Sequence, residues 1–377
     1  MIELLPWQQQ AWEKFKENNY RGIIEAATGT GKTFLGLKLI DEFCESILIV
    51  VPTIVLQQQW YDDLLNKLHI YPTLIGRLGG GYNDTKKITI AVINSLRGKE
   101  VEFNSLILDE CHHYLSDKSV SLLVNNTFKR ILALSATVKR GDDRDYSIFN
   151  LKVIFKYSLN DAISNRDLCE YSLINTGVIL TSIEREKYML YDKIVRELFP
   201  KYGSDVFGGP WSIEKNRLRR SIAARKSVIM NAEVKVAKAV ELIMGNLDKK
   251  IIVFSEYIST LKSINYYLEL NQLSASIYFS GNSNNLNSIG DFKSNKTNIL
   301  LCVKALDEGI NVPLCDMAII VAGNKTSRQI IQRLGRVLRK KDKEAVIYQI
   351  YVKDSIDVKY INERMKYIKG YNGVLWE

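Results

Sequence analysis

The stretch Ala26–Thr33, AATGTGKT, decides how the rest of this chain is read. It follows an apolar run, Gly22–Ala27, with the make-up of a buried strand. It opens onto Thr33–Phe43, whose apolar residues recur at helical spacing. A small-residue turn between strand and helix, closing on Gly-Lys-Thr, has the spacing of a phosphate-cradling loop. Thr28, Gly29, Thr30 and Gly31 let backbone N–H groups approach phosphate oxygens, and the helix N-terminus adds a favourable dipole. Lys32, its ammonium expected in a solvated cleft, then reaches the β- and γ-phosphates, and the Thr33 hydroxyl is placed to ligate Mg²⁺. A second stretch supports the first. Ser105–Leu108 reads as a buried strand running into Asp109-Glu110, which puts two carboxylates at the carboxyl edge of a sheet, where ligands sit in open α/β folds. Together the two motifs predict binding and hydrolysis of a nucleoside triphosphate.

With 377 residues the chain has room for two or three domains, each burying its own core. No apolar run reaches membrane-spanning length, and the N-terminus, MIELLPWQQQAWEKF, lacks the basic start and apolar core of a signal peptide. Cys44, Cys111, Cys169, Cys302 and Cys315 form no C-x-x-C pair, and His69 is remote from His112 and His113. Neither a disulfide framework nor a zinc site is suggested, and a cytoplasmic or nucleoid-associated protein is expected. The net charge of +10 points to a polyanionic partner. Its distribution sharpens that reading: Lys215–Lys226, KNRLRRSIAARK, holds six bases and no acid, with Arg219, Arg220 and Arg225 as candidate phosphate contacts. A merely solvated helix face is the alternative for this run.

Further strands are expected at Ile47–Val51, Ile88–Ile93 and Arg130–Leu134, with helical periods between them such as Leu56–Leu68 and Ser119–Asn125. Strands alternating with helices imply right-handed crossovers and a parallel, doubly wound α/β sheet. The pattern returns after Lys250, at Ile251–Phe254, Ser276–Phe279, Asn298–Val303, Met317–Val321 and Ala345–Val352, followed by a final amphipathic helix, Ser355–Lys369. Between the halves lie helical runs, Ser182–Phe199 and Ile213–Met244, around a Gly/Pro break at Phe207–Pro210. Asn282–Asn298 reads as a surface loop with a short helix. Residues 1–160 are thus expected to form a first lobe, 161–245 a basic helical connector or insertion, and 246–377 a second lobe. Two segments of that second half carry chemistry: Ala305–Pro313, ALDEGINVP, and Gln329–Arg339, QIIQRLGRVLR, in which Arg336 and Arg339 share one helix face.

In this order and over nearly its whole length the chain resembles the superfamily 2 helicases, specifically the XPB-like DECH/DEAH-box group. Leu5–Gln8 looks like the glutamine motif that reads adenine through Gln8; Ala26–Thr33 resembles motif I, and Val51–Trp60, VPTIVLQQQW, motif Ia. Thr89–Leu96 is similar to the loop that touches a nucleic-acid backbone, Asp109–His112 to the DECH box, and Ser135-Ala136-Thr137 to motif III. Ile252–Tyr257 resembles motif IV, Leu306–Pro313 motif V and Gln332–Arg339 motif VI. Three positions depart from the usual pattern: Leu5 stands where Arg is frequent, Asn311 where Asp is common, and Val138 where Pro often follows motif III.

The resemblance implies two RecA-like lobes with an ATP cleft between them. It implies that Asp109 holds Mg²⁺ and that Glu110 orients and deprotonates the attacking water. Gln332, Arg336 and Arg339 would serve the cleft as catalytic polar groups, the arginines stabilising charge on the transferring γ-phosphoryl. Glu308, Gly309 and Asn311 would line the nucleotide. His112, Ser135 and Thr137 would couple nucleotide state to a nucleic-acid track formed by Pro52, Thr53, Asn94, Ser95, Ser280, Gly281 and Lys304. The activity it implies is ATP-dependent translocation along, or unwinding of, nucleic acid, with DNA as the first expectation. An RNA helicase stays open, since contacts to a ribose 2′-OH leave no signature in a sequence. So does an ATP-gated clamp that recruits a partner such as a nuclease or a repair, recombination or defence subunit.

Overall fold

The structure, a computed structural model, describes residues 2–97, 99, 102–114, 128–136, 151–208, 210–279, 285–303, 315–322, 344–365 and 374–377. Described residues up to Leu168 form one compact unit and those from Cys169 onward a second. The first contains β1 (Arg21–Ala26), β2 (Ile47–Val51), β3 (Ile75–Gly79), β4 (Tyr82–Asp84), β5 (Ile88–Val92), β6 (Ser105–Leu108), β7 (Arg130–Ser135) and β8 (Val153–Tyr157). They pair in the order β4-β3-β5-β2-β6-β7-β1-β8, parallel throughout except for the β3–β4 hairpin. Its helices are α1 (Pro6–Glu17), α2 (Thr33–Phe43), α3 (Ile54–Lys67) and the short α4 (Leu159–Ser164). β2, ILIVV, and β6, SLIL, are buried at every position, as strands covered on both faces must be.

The second unit contains β9 (Tyr171–Val178), β10 (Ile251–Ser255), β11 (Ser276–Tyr278), β12 (Ile299–Val303), β13 (Met317–Ile320), β14 (Ala345–Val352) and β15 (Val374–Trp376). Their order is β11-β12-β10-β13-β14-β9-β15, and every pairing is parallel. Around them lie α5 (Ser182–Tyr202), α6 (Ile213–Met230), α7 (Glu233–Met244), α8 (Ile258–Leu270), α9 (Asn285–Lys293) and α10 (Ile356–Met365). The two doubly wound sheets are therefore as the alternating pattern implied.

Three features differ from the reading of the sequence alone. β9 lies inside the stretch expected to be a helical connector, yet it is a strand of the second sheet, paired along its length with β14. Its middle residues, Asn175 and Thr176, are polar and buried, and Gln349 Nε2 donates to Asn175 Oδ1 at 3.3 Å. Those polar residues interrupt the apolar run by which a buried strand is recognised. The run Ile213–Met244, expected to be continuous, breaks into α6 and α7 at Asn231-Ala232. Asn231 forms the corner: its Nδ2 donates to Ser227 O at 3.2 Å, and its Oδ1 accepts from the hydroxyls of Ser259 at 3.0 Å and Thr260 at 3.1 Å. β8 also escaped notice because its residues are half-exposed rather than a clean apolar run. The expected helix Ser119–Asn125 lies outside the described residues.

α5 and α6 form a hairpin with a core of its own, built from Val195, Leu198, Val206 and Leu218. At mid-height Asp192, buried, receives Arg225 at 2.6 Å and the exposed Arg196 at 2.6 Å. Removing Asp192 would leave the Arg225 guanidinium desolvated and without that counter-charge, a loss of about 3 kcal/mol for a buried pair broken on one side. Asp192→Ala should therefore lower the melting temperature of the protein by several degrees. Asp192→Asn, which keeps an acceptor, should recover part of the loss. An unchanged melting temperature for Asp192→Ala would show the pair to be energetically idle.

Candidate functional site

The strand order places the chemistry. β6, β7 and β1 are consecutive in the sheet and parallel, so the segments leaving their carboxyl ends emerge side by side. From β1 comes the loop Ala27–Lys32, from β6 the pair Asp109-Glu110, and at the end of β7 stands Ser135. β2, on the far side of β6, delivers Pro52-Thr53 to the same edge.

The loop has the backbone its glycines allow. Gly29 and Gly31 sit at φ +89° and +87°, a region closed to ordinary L-residues, and a Cβ on Gly31 would come within 3.0 Å of Gln8 Nε2. β8 backs the loop, since Ala27 N–H donates to Tyr157 O at 3.0 Å. Trp7 stacks on Tyr157 with ring centroids 4.7 Å apart, and so anchors α1 against that strand. This brings Gln8 to the loop: its Oε1 accepts from Leu5 N–H at 2.9 Å, and its Nε2 donates to Gly31 O at 3.1 Å and Thr30 O at 3.4 Å. The Thr30 hydroxyl donates to Ala27 O at 2.7 Å. Lys32 is buried rather than set in an open, solvated cleft, with its Nζ donating to Ala26 O at 3.0 Å. Thr33 begins α2, and in its first turn Phe34 N–H donates to Gly31 O and Leu35 N–H to Lys32 O, both at 3.0 Å. Thr28 lies in the loop with its hydroxyl buried.

Asp109 and Glu110 differ in setting. Asp109 N–H donates to Val50 O at 3.0 Å, which ties the end of β6 to β2. Its carboxylate accepts from the Trp60 indole N–H at 2.9 Å on Oδ2 and from Glu110 N–H at 3.0 Å on Oδ1. Burial, and next the charge of Glu110, push the Asp109 carboxyl up from 3.8 to about 6, against the opposing pull of the Trp60 bond and the Lys32 ammonium. Glu110 occupies the left-handed region at φ +49°, uncommon for a residue with a Cβ, and there the chain turns into Cys111–Tyr114. Its Oε2 is buried without a hydrogen-bond partner among the described residues, 3.5 Å from His112 Nδ1. His112 Nδ1 in turn lies 3.0 Å from Ser135 Oγ, a buried link from the carboxylate turn to the end of β7.

The first unit thus gathers Gln8, Thr28–Thr33, Asp109, Glu110, His112 and Ser135 along one sheet edge. Thr137, Ser280, Gly281, Lys304, Glu308, Gly309, Asn311, Gln332, Arg336 and Arg339 lie outside the described residues. Among the candidate nucleic-acid contacts, Pro52 is half-buried, and Thr53 caps α3 by accepting from Leu56 N–H at 3.3 Å. Asn94 is exposed, whereas the Ser95 hydroxyl is directed inward, donating toward Val92 O at 2.6 Å and Leu78 O at 2.9 Å. The basic helix differs from its expected role as a set of phosphate contacts. Arg225 is held in the ion pair with Asp192, and Arg219 Nε donates to Val206 O at the end of the hairpin, so both serve the hairpin. Arg220 and Arg217 project to solvent. Trp60 and Gln57 were inside the quoted motif Ia stretch, but nothing in their spacing indicated that one would bond the DECH aspartate.

Comparison with known proteins places the chain in a family. The family described as type III restriction enzyme, res subunit, matches residues 1–140, and the helicase conserved C-terminal domain matches residues 234–341. The DNA 3′-5′ translocase XPB2 of Sulfurisphaera tokodaii is 29% identical, over 96% of this chain and 84% of its own length. The putative DNA 3′-5′ helicase Rad25 of Halobacterium salinarum is 22% identical over 97% of this chain, which spans only 57% of that relative. In fold, the helicase domain of Pyrococcus furiosus Hef superposes with a TM-score of 0.64 at 16% identity, over 96% of this chain and 98% of that one. Two helicase models in tandem, a relative matched almost end to end and the motif I and motif II geometry define an ATP-dependent motor enzyme, and the chain belongs to the superfamily 2 helicases. Within that superfamily XPB- and Rad25-like proteins are among its relatives.

Lys32 lies in the phosphate-loop motif and donates to the Ala26 carbonyl. Lys32→Ala should lower kcat for ATP hydrolysis by about 10²–10³-fold, the scale for removing one preorganised charge from a phosphoryl-transfer site. The melting temperature of the nucleotide-free protein should change by only a few degrees. Hydrolysis near the wild-type rate would remove Lys32 from the reaction.

Proposed function

We propose that this chain is an ATP-dependent DNA translocase or helicase that moves 3′ to 5′ along one strand. The observation that carries the reading is the near end-to-end match to a DNA 3′-5′ translocase, joined to the edge at which β6, β7 and β1 present carboxylates, coupling residues and phosphate loop together. In this reading the loop and the α2 N-terminus take the phosphates, with Gln8 bracing the loop from α1. The buried Oε2 of Glu110, without a hydrogen-bond partner among the described residues, accepts the proton of the attacking water, and Asp109 stays ionised beside it. Glu308, Gly309 and Asn311 contact nucleotide, and Gln332, Arg336 and Arg339 supply positive and polar groups to the γ-phosphoryl. His112 and Ser135, with Thr137, relay the nucleotide state toward Pro52, Thr53 and Asn94. Arg217 and Arg220 supply phosphate contacts from the hairpin, with Ser280, Gly281 and Lys304 on the second lobe.

Mg²⁺ suits the donor set. Asp109 is a desolvated carboxylate whose anionic form lacks full compensation, and the Thr33 hydroxyl heads the adjacent helix, both hard oxygen donors of the kind Mg²⁺ takes beside phosphates. When bound it would neutralise phosphate charge. Among the described residues no helix is long and apolar enough to cross a membrane.

A second reading has a specific observation behind it. The putative ATP-dependent RNA helicase QP509L of African swine fever virus is 32% identical, but over only 34% of this chain. ATPase assays separate the two. Duplex or single-stranded DNA should stimulate turnover, RNA should not, and a strand-displacement assay should report 3′-5′ polarity. Stimulation by RNA alone overturns the DNA reading. Glu110→Gln, which keeps shape but takes no proton, should retain ATP binding while losing at least about a hundredfold in rate.

The pH dependence follows from Asp109. Proton and cation compete for one carboxylate whose affinity for protons is centred near pH 6. The Mg²⁺ concentration for half-maximal ATPase should therefore be level above neutrality and rise as pH falls below about 6, approaching about tenfold per unit. A Mg²⁺ requirement that stays constant down to pH 5 would contradict this assignment.

A further inference from the structure

We propose that Trp60 is a positioning residue for the hydrolytic site, holding the Asp109 carboxylate through its indole N–H and joining it rigidly to the motif Ia segment Pro52-Thr53. The inference rests on the DNA-motor reading above for its coupling half, but not for the hold on Asp109. Trp60 lies on α3 and is 1% exposed, which is too deep for contact with any ligand. Its N–H donates to Asp109 Oδ2 at 2.9 Å, while Glu110 N–H holds Oδ1 at 3.0 Å. A carboxylate with a donor on each oxygen cannot rotate without losing one of them, so its remaining surface faces a fixed direction.

The indole is itself clamped. A Cβ on Gly36 of α2 would stand 2.5 Å from Trp60 Cη2 and 3.5 Å from Ile107 Cδ1 of β6. The ring therefore fills the seam between the helix that starts at the phosphate loop and the strand that ends at Asp109. No side chain larger than hydrogen at position 36 leaves it in place.

The first half of α3 is fastened as firmly. Gln57, one turn before Trp60 and on the same face, donates to Leu78 O and Ile90 O, both at 2.9 Å. Leu78 O also receives the Ser95 hydroxyl, so the loop carrying Asn94-Ser95 and the helix share one buried carbonyl. Thr53 caps the start of the helix seven residues before Trp60, or about 10 Å of rigid α-helix at 1.5 Å per residue. α3 thus spans from the proposed strand-contacting segment to the DECH aspartate, with a buried hydrogen bond at each station.

Trp60→Phe removes the donor and keeps most of the apolar bulk. In calorimetric titrations the variant should bind ADP without Mg²⁺ as the wild type does. The gain in ADP affinity on adding Mg²⁺ should shrink by about 10–100-fold, the usual cost of losing a partner that orients a metal ligand. DNA-stimulated kcat should fall on the same scale while the affinity for duplex DNA is unchanged. If the ring merely filled space, the melting temperature would drop with the Mg²⁺ titration and kcat unmoved, and that result overturns the proposal. Gly36→Ala provides the test should Trp60→Phe not fold: it displaces the indole without deleting a donor, and must reproduce the Mg²⁺ defect. A Gly36→Ala protein with a wild-type Mg²⁺ titration overturns the proposal equally. Should DNA fail to stimulate even the wild type, the motor reading falls, while the Mg²⁺-dependent ADP titration still decides the role of Trp60.

Discussion

Parallel pairing of β1 between β7 and β8 is the constraint on which the site depends. Parallel strands share a direction, so the loops leaving their carboxyl ends have to emerge on one edge, and the order β6-β7-β1-β8 decides which loops are neighbours there. The phosphate loop is next to the motif III serine, and that serine is next to the DECH carboxylates. None of these residues needs its neighbours in sequence to find its neighbours in space. β8 completes the arrangement by bonding the start of the loop and giving Trp7 a surface on which to hold α1 and Gln8.

Packing polar groups into this edge sets the second level of organisation. Each buried polar side chain needs partners, and here the partners come from elements that must move or stay together. Gln8 joins α1 to the loop, Gln57 joins α3 to β3 and β5, and Trp60 joins α3 to Asp109. The cost of desolvating Asp109 is only partly offset, as its raised proton affinity records. A carboxylate left in this condition gains from any hard cation that reaches it. The same logic, applied to cations, separates the basic residues of the α5–α6 hairpin. Arg225 and Arg219 face inward to acceptors and stabilise the hairpin, and only outward positions such as Arg217 and Arg220 retain charge for a partner.

Much of the second sheet was legible because its strands are short apolar runs bounded by turns, and β14 matches its expected span residue for residue. β9 was not, since Asn175 and Thr176 are tolerable in its centre only when Gln349 and the neighbouring strands supply their bonds. The corner at Asn231 was hidden for a related reason. Its acceptors and donors include Ser259 and Thr260, nearly thirty residues away in the chain.

By itself the amino-acid sequence determined the chemistry available to this protein: a strand, a glycine loop and a helix that bind phosphate, a carboxylate pair at a strand end, and a basic helical segment between two α/β halves. These are local properties, governed by backbone freedom at Gly29 and Gly31, by periodicity and by side-chain type. Only the tertiary structure decided which of those residues act and which support. It buried Lys32 against Ala26 O, turned Ser95 inward, committed Arg219 and Arg225 to the hairpin, and set an unremarked tryptophan on Asp109. The physical reason is that a hydrogen bond or ion pair belongs to two groups at once. A single position in the sequence specifies what it can donate or accept, while the fold alone specifies to whom.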